Sequence, residues 1–246
     1  MRLPIPNFTA LDSAYGKFIV NRHCAHHAET LAKTGLTHIE PELAKILAII
    51  RTLPPGSLAI DAGANIGFIA IPIAQELQAT GGMIHAFEVQ RMLFYALCGS
   101  AALNGLTNLH IHNIALGAAS GLIPTPQPDY GAAQDFGLYS LATPISSPVT
   151  ETVPLITIDQ LRLPRLDFLK IDVEGMEPDI LEGAAATIRA CTPWCWVEYW
   201  KTGIAPLKAA FTGADYRFFP LDPLNLLCAP TAKLAASGLQ IEGCEV

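Results

Sequence analysis

Alternating short apolar runs and amphipathic stretches predict an α/β fold, a mostly parallel sheet with helices on both faces. Three observations carry that expectation. SLAIDAGANIGFIAIPIAQEL passes from an apolar run through a glycine turn into a helical pattern. MIHAFEV followed by RMLFYALCGSAALNG repeats the unit, and NLHIHNIAL supplies a third strand. Further on, LDFLKIDV leads into the helical EPDILEGAAATIRA, and PWCWVEYW reads as a fifth strand.

Taken in order, residues 1–55 stand apart as an N-terminal helical extension. In PELAKILAIIRTL, Pro41 suits a first helical position and Leu43, Ile46, Leu47 and Ile50 recur at helical spacing. Pro54-Pro55-Gly56 stops that helix and opens the main domain, 56–246. Asn104-Gly105 ends the helix after the second strand. From Ala118 to Pro154 the rhythm breaks: six prolines and DYGAAQDFGLYSL leave no sustained helical period. A long irregular connection of this kind is usually functional or mobile, and it reads as a lid-like insertion. DYRFFPLD and NLLCAP form a closing antiparallel pair around Asp222-Pro223.

Composition narrows the function classes. Of 246 residues, 51% are hydrophobic and 15% charged, enough for a sizeable core and unlike a disordered chain. A net charge of -7 argues against a broad nucleic-acid surface. The six cysteines form no CxxC and mostly have apolar neighbours, as expected of reduced thiols in a cytoplasmic protein. MRLPIPNFTALDS lacks a signal-peptide pattern, and no apolar run of about 18 residues suggests a membrane span. Nothing here fixes the oligomeric state.

In open α/β sheets ligands bind beyond the carboxyl ends of the strands. The first strand ends in Asp61-Ala-Gly63-Ala64-Asn65-Ile-Gly67. A dinucleotide site wants GxGxxG so that backbone approaches a pyrophosphate; here the spacing is GxxxG, with a carboxylate in front. Asp61 would meet a diphosphate badly. It suits a cofactor carrying an ammonium and a sulfonium, as S-adenosylmethionine does. The second strand ends in Glu88 and Val89, with Glu88 placed to accept hydrogen bonds from ribose hydroxyls. Asn113 and Ala115 end the third strand.

KIDVEG then sets Lys170, Asp172 and Glu174 on alternate positions, hence on one face. Burying such charges is costly unless they are paired or used. Lys170 reads as the partner of a neighbouring carboxylate, and Glu177 and Asp179 as residues of a helix first turn. Glu198 ends the fifth strand among Trp196, Tyr199 and Trp200. It would bind substrate, or share a divalent cation with Asp172; hard-metal sites have no diagnostic spacing, and no metal is assigned. Histidines 23, 26, 27 and 38 invite a zinc site, since HxxHH on a helix puts His23 and His27 on one face. No cysteine or acid has the spacing to complete it, which favours a solvated, partly packed segment.

AIDAGANIGFIA, AFE and DFLKIDVEGMEPDILEGA together resemble the FkbM family of S-adenosylmethionine-dependent methyltransferases, from about Ser57 to Glu198. The resemblance implies a class I methyltransferase fold, a Rossmann-like seven-stranded sheet with a final antiparallel strand. It also implies methyl transfer, typically to a hydroxyl of a sugar or natural product. The family usually has proline after the second-strand glutamate, where Val89 stands here. On this reading Asp61, Gly63, Ala64, Asn65, Gly67, Glu88, Val89, Asn113 and Ala115 bind the cofactor. Asp172 or Glu174 orients and deprotonates the acceptor hydroxyl, with Glu198 beside them. An NAD(P)-dependent reductase is disfavoured by the missing GxGxxG and the absence of Tyr-x-x-x-Lys. A catalytically silent S-adenosylmethionine-binding module is the third reading.

Overall fold

In the computed structural model, which describes residues 6–137, 139–140, 142, 150–241 and 244–246, the first element of the described residues is a hairpin rather than a helix. β1 (Phe8–Ser13) pairs antiparallel with β2 (Gly16–Asn21). Two helices follow, α1 (Ala25–Thr34) and α2 (Glu40–Ile50), the second being the one expected over PELAKILAIIRTL. The N-terminal 55 residues are therefore mixed rather than wholly helical. Alternation in FTALDS and GKFIVN across the Ala14-Tyr15 turn is the strand signal there.

The main sheet then builds as the βα units predict. β3 (Leu58–Ala62), α3 (Ala70–Gln78), β4 (Met83–Phe87), α4 (Arg91–Leu103) and β5 (Leu109–His112) form its first half. The stretch read as one third strand breaks after His112: β6 (Ala115–Leu116) joins β8 (Thr150–Ile156) and β7 (Gly121–Pro126) in a separate three-stranded sheet. The 118–154 excursion is thus framed by strands, a correction to its irregular reading. Pro124, Pro126 and Pro154 lie within those strands, and proline is a poor strand signal. Positions 138, 141 and 143–149 of the excursion lie outside the described residues.

β9 (Phe168–Ile171), α5 (Glu177–Glu182), α6 (Ala185–Cys191), β10 (Trp194–Glu198), α7 (Ile204–Ala209), β11 (Tyr216–Pro220), β12 (Asn225–Pro230) and α8 (Thr231–Ser237) complete the fold. The seven-stranded order is β11-β12-β10-β9-β3-β4-β5. Only β12 runs against its neighbours, antiparallel to both β10 and β11.

Strand alternation sorts the core into two apolar layers. Ala59, Phe168, Trp194 and Trp196 face one layer, which includes Phe18, Leu31 and Leu43 of the N-terminal segment. Leu58, Ile60, Leu169, Ile171 and Val197 face the other. The N-terminal elements therefore pack into the main core. The same period decides where the charges go. Asp61 stands directly opposite Lys170 in the β3–β9 register, and Lys170 opposite Trp196 in β9–β10, so Asp61 and Lys170 share the face covered by the N-terminal segment. No helix among the described residues is long and apolar enough to cross a membrane.

Candidate active site

The cofactor half of the site grows from the ends of β3 and β4. Gly63 has φ of 79°, and a Cβ there would lie 1.9 Å from the Asp172 carbonyl oxygen, so only glycine fits. The Gly63 and Ala64 N–H groups both donate to the Phe87 carbonyl at 3.0 Å, locking the loop to β4. Glu88 is buried, and its carboxylate accepts from the Asn65 N–H at 2.8 Å and the Gln90 N–H at 2.7 Å. Burial pushes its pKa up to about 7 against those donors. The side chain of Asn113 donates to the Glu88 and Val89 carbonyls at 2.8 and 3.0 Å, bracing the turn from behind.

Asp61 is fully buried. The Lys170 ammonium lies 3.1 Å from its Oδ1, donates to the Gly63 carbonyl at 2.9 Å and sits 3.3 Å from Asp172 Oδ2. The Lys170 ammonium is the cationic partner of the Asp61 carboxylate. Burial alone would lower the Lys170 pKa; Asp172, Asp61 and Glu42 outweigh it and hold the ammonium above its ordinary value. The pairing role read for Lys170 is the one observed.

Across the cleft lies a cluster of acids. Ligand oxygens of Asp172, Glu174 and Glu198 lie within 4.8 Å of one another. Asp172 keeps 37% of its side chain exposed, whereas Glu174 and Glu198 are buried. Lys201 pairs with Glu174. Among the described residues Glu198 Oε2 has no hydrogen-bond partner, and burial, then the charges of Asp172 and Glu174, push its pKa up to about 8. Glu174 has φ of 63°, as its loop doubles back. Glu177 holds that loop: its Oε1 accepts from the Val173 and Gly175 N–H groups at 3.1 and 3.0 Å. This goes beyond the helix-end role expected of it.

These groups share a cleft of about 1220 Å³, counted to its open mouth. All the residues selected from sequence line it except two. Gly67 and Asn113 are not on its wall: a Cβ on Gly67 would strike Leu97 Cδ1 at 2.4 Å, so that glycine admits helix α4. Sequence reasoning missed Glu42, Gln90, His27, His38 and Asp135, which also line the cleft. Glu42 reaches over from α2, and burial pushes its pKa up to about 7, with Lys170 opposing. A first-turn acid of an N-terminal helix carries no signal of such a position. Gln90 is tied to the excursion, donating to the Phe136 carbonyl at 2.6 Å and accepting from the Tyr130 hydroxyl at 3.2 Å.

A sheet of this order with a single reversed strand, and acids at the ends of its first two βα strands, defines the class I methyltransferase fold. The methyltransferase FkbM domain model matches residues 61–217, and the chain belongs to that family. The family uses S-adenosylmethionine, and the reductase reading falls with that membership. The residues present fit the cofactor: Asp61 brings a carboxylate to the cleft wall, and the loop at Gly63 has no side chain in the way.

Among solved structures, the FkbM methyltransferase from Methylobacillus flagellatus KT aligns with 16% identity and a TM-score of 0.53. The alignment covers 72% of this chain but only 44% of that one, so this chain spans less than half of that relative. An O-methyltransferase from Thermotoga maritima has 10% identity and a TM-score of 0.45, covering 90% of this chain and 77% of that one. TYW2 from M. jannaschii, in complex with AdoMet, has 13% identity and a TM-score of 0.45, covering 93% and 87%. No curated protein matches this chain.

Proposed function

We propose that the protein transfers a methyl group from S-adenosylmethionine to a hydroxyl oxygen of a small acceptor, a sugar or a natural product. The observation that carries this reading is the convergence of Asp172, Glu174 and Glu198 beside the Asp61–Glu88 half of one cleft. The cofactor, when bound, supplies an electrophilic methyl on a sulfonium. Asp61 receives its ammonium, and Glu88 accepts from its ribose hydroxyls. Gly63 leaves the backbone free to lie against the amino-acid portion.

Asp172 is the general base in this proposal. It is the most open of the three acids, and the Lys170 ammonium lies 3.3 Å from its Oδ2. Its carboxylate accepts the acceptor's hydroxyl proton as the oxygen attacks. Glu198, with a pKa near 8, holds its proton at neutral pH and donates a hydrogen bond that orients the acceptor. Glu174, fixed by Lys201, closes the far side. Orientation of this kind can supply about 7–11 kcal/mol, and a general base about 10²–10⁴-fold in rate.

In this reading residues 56–246 are the catalytic domain, and the 1–55 extension and the 118–154 excursion cover the acceptor and select it. A cytoplasmic address, where thiols stay reduced, belongs to the same proposal. Asp172→Asn tests it, with S-adenosylhomocysteine binding followed by calorimetry and turnover followed across a panel of hydroxylated acceptors. The expected result is about a 10²–10⁴-fold loss of turnover with binding unchanged. Unchanged turnover would sink the assignment. Absence of turnover in the wild type with every acceptor would favour the silent cofactor-binding module.

A further inference from the structure

The N-terminal segment and the excursion bring together a thiol, an imidazole and a carboxylate at the edge of the cleft. We propose that Cys24, His27 and Asp135 bind a zinc ion, which fastens helix α1 to the 127–137 stretch. Cys24 is the N-cap of α1 and His27 lies three residues on, so one helical turn sets both on the same side. Asp135 arrives from far along the chain. One ligand atom from each lies within 4.8 Å of the others.

The surroundings favour a metal over an idle cluster. Cys24 and His27 are 1% and 7% exposed. The His27 ring is packed between His38 and Phe68, and burying its nitrogens is costly unless they are partnered. One oxygen of Asp135 accepts from the Gly137 N–H at 2.8 Å, which orients the carboxylate and leaves its other oxygen for a cation. His38 stacks on His27 at 4.9 Å, and its Nδ1 is buried without a partner. The fourth position falls to His38 or to water. Sulfur, nitrogen and oxygen in one small set suit zinc, whereas the all-oxygen acids at Asp172 suit harder ions.

Binding replaces the Cys24 S–H bond with an S–Zn bond, and the proton leaves to solvent. Because His27, His38 and Asp135 also line the cleft, the metal would hold one wall of it in place. Histidine spacing alone could not reveal this site, since its third ligand comes from the excursion.

The test uses the full chain, free of any affinity tag, stripped with chelator and titrated with Co²⁺ and then Zn²⁺. One equivalent of Co²⁺ is expected to give a sulfur-to-cobalt charge-transfer band, which one equivalent of Zn²⁺ abolishes. Cys24→Ser should lose the band. Asp135→Asn keeps an oxygen for the Gly137 N–H and should lower zinc affinity by about tenfold or more, since even outer-shell losses cost that much. Zinc should also slow amide exchange over 127–137 in the wild type. Adventitious binding at the stacked His85, His110 and His112 would lack the sulfur band. No band in the wild type, or a band that survives in Cys24→Ser, overturns the proposal. Should Cys24→Ser fail to fold, Asp135→Asn decides, and an unchanged zinc affinity there overturns it.

Discussion

On the cofactor side of the cleft the acids are held by fixed groups of the main fold. Glu88 accepts from two backbone N–H groups, and Asp61 faces Lys170 across paired strands. On the acceptor side the acids face one another. Glu42, Asp172, Glu174 and Glu198 come from a helix, a strand end, a loop and another strand end, and Glu198 keeps an oxygen with no partner. The first arrangement suits one unchanging ligand, since backbone donors do not reorganise. The second gathers acids, and burial together with their nearness to one another raises the Glu198 pKa. In the proposed reading, rigid placement serves the methyl donor and the acid cluster serves the acceptor.

Breaking the contact common to both halves should have the largest effect. Lys170→Met leaves Asp61 buried without its cation, and removing one partner of a buried pair costs about 3–5 kcal/mol. Denaturant unfolding would register it; a loss below about 1 kcal/mol would mean that Asp61 is neutral and the pair is not what holds the halves together.

Next in size, Glu88→Ala strips two backbone N–H groups of their acceptor and removes the ribose acid. S-adenosylhomocysteine affinity should fall by about 1.5–3 kcal/mol, read by calorimetry. An equal rise in acceptor KM at saturating cofactor would erase the distinction between the halves.

The tension on the acceptor side has a pH signature. Glu198 rises from an ordinary 4.5 to about 8 in the folded protein, so between those values the folded state holds a proton that the unfolded chain releases. Stability should therefore fall as pH rises through that window and level off above it. Glu88, raised to about 7, acts in the same sense. Glu198→Gln cannot titrate, and thermal melts of that variant should show a shallower decline than the wild type. Identical slopes would show that Glu198 is ionised throughout.

The smallest expected change is Asn113→Ala, which deletes two hydrogen bonds to the Glu88 and Val89 carbonyls. About 1 kcal/mol of stability should go, with little change in turnover. A collapse of activity would place Asn113 among the direct contacts after all.

What sequence could disclose follows the physics of range. Asp61, Glu88, Asp172 and Glu198 were legible because a strand delivers its last residue to a known edge of the sheet. Lys170 was legible as a partner because alternation put it among acids. Glu42, Gln90 and Asp135 were not, since their positions depend on how a helix, a turn and a long excursion pack from a distance. β1 and β2 carried a signal in their alternation that the nearby histidines overshadowed. β7 was masked by its prolines, and the motif that Gly67 shares with Gly63 gave no sign that Gly67 makes room for Leu97.

The reversal of β12 has a further consequence. Because that strand runs backward, its first residue, Asn225, stands opposite Glu198 at the end of β10. A turn from the far end of the chain thereby arrives beside the acid cluster, closed by Asp222, which accepts from the Leu224 and Asn225 N–H groups at 2.7 and 2.8 Å. The β11–β12 ladder anchors both of its ends. For protein engineering this marks residues 221–224 as a short turn whose length can be varied near the acid cluster, held by its own ladder and several strands away from β3 and β4.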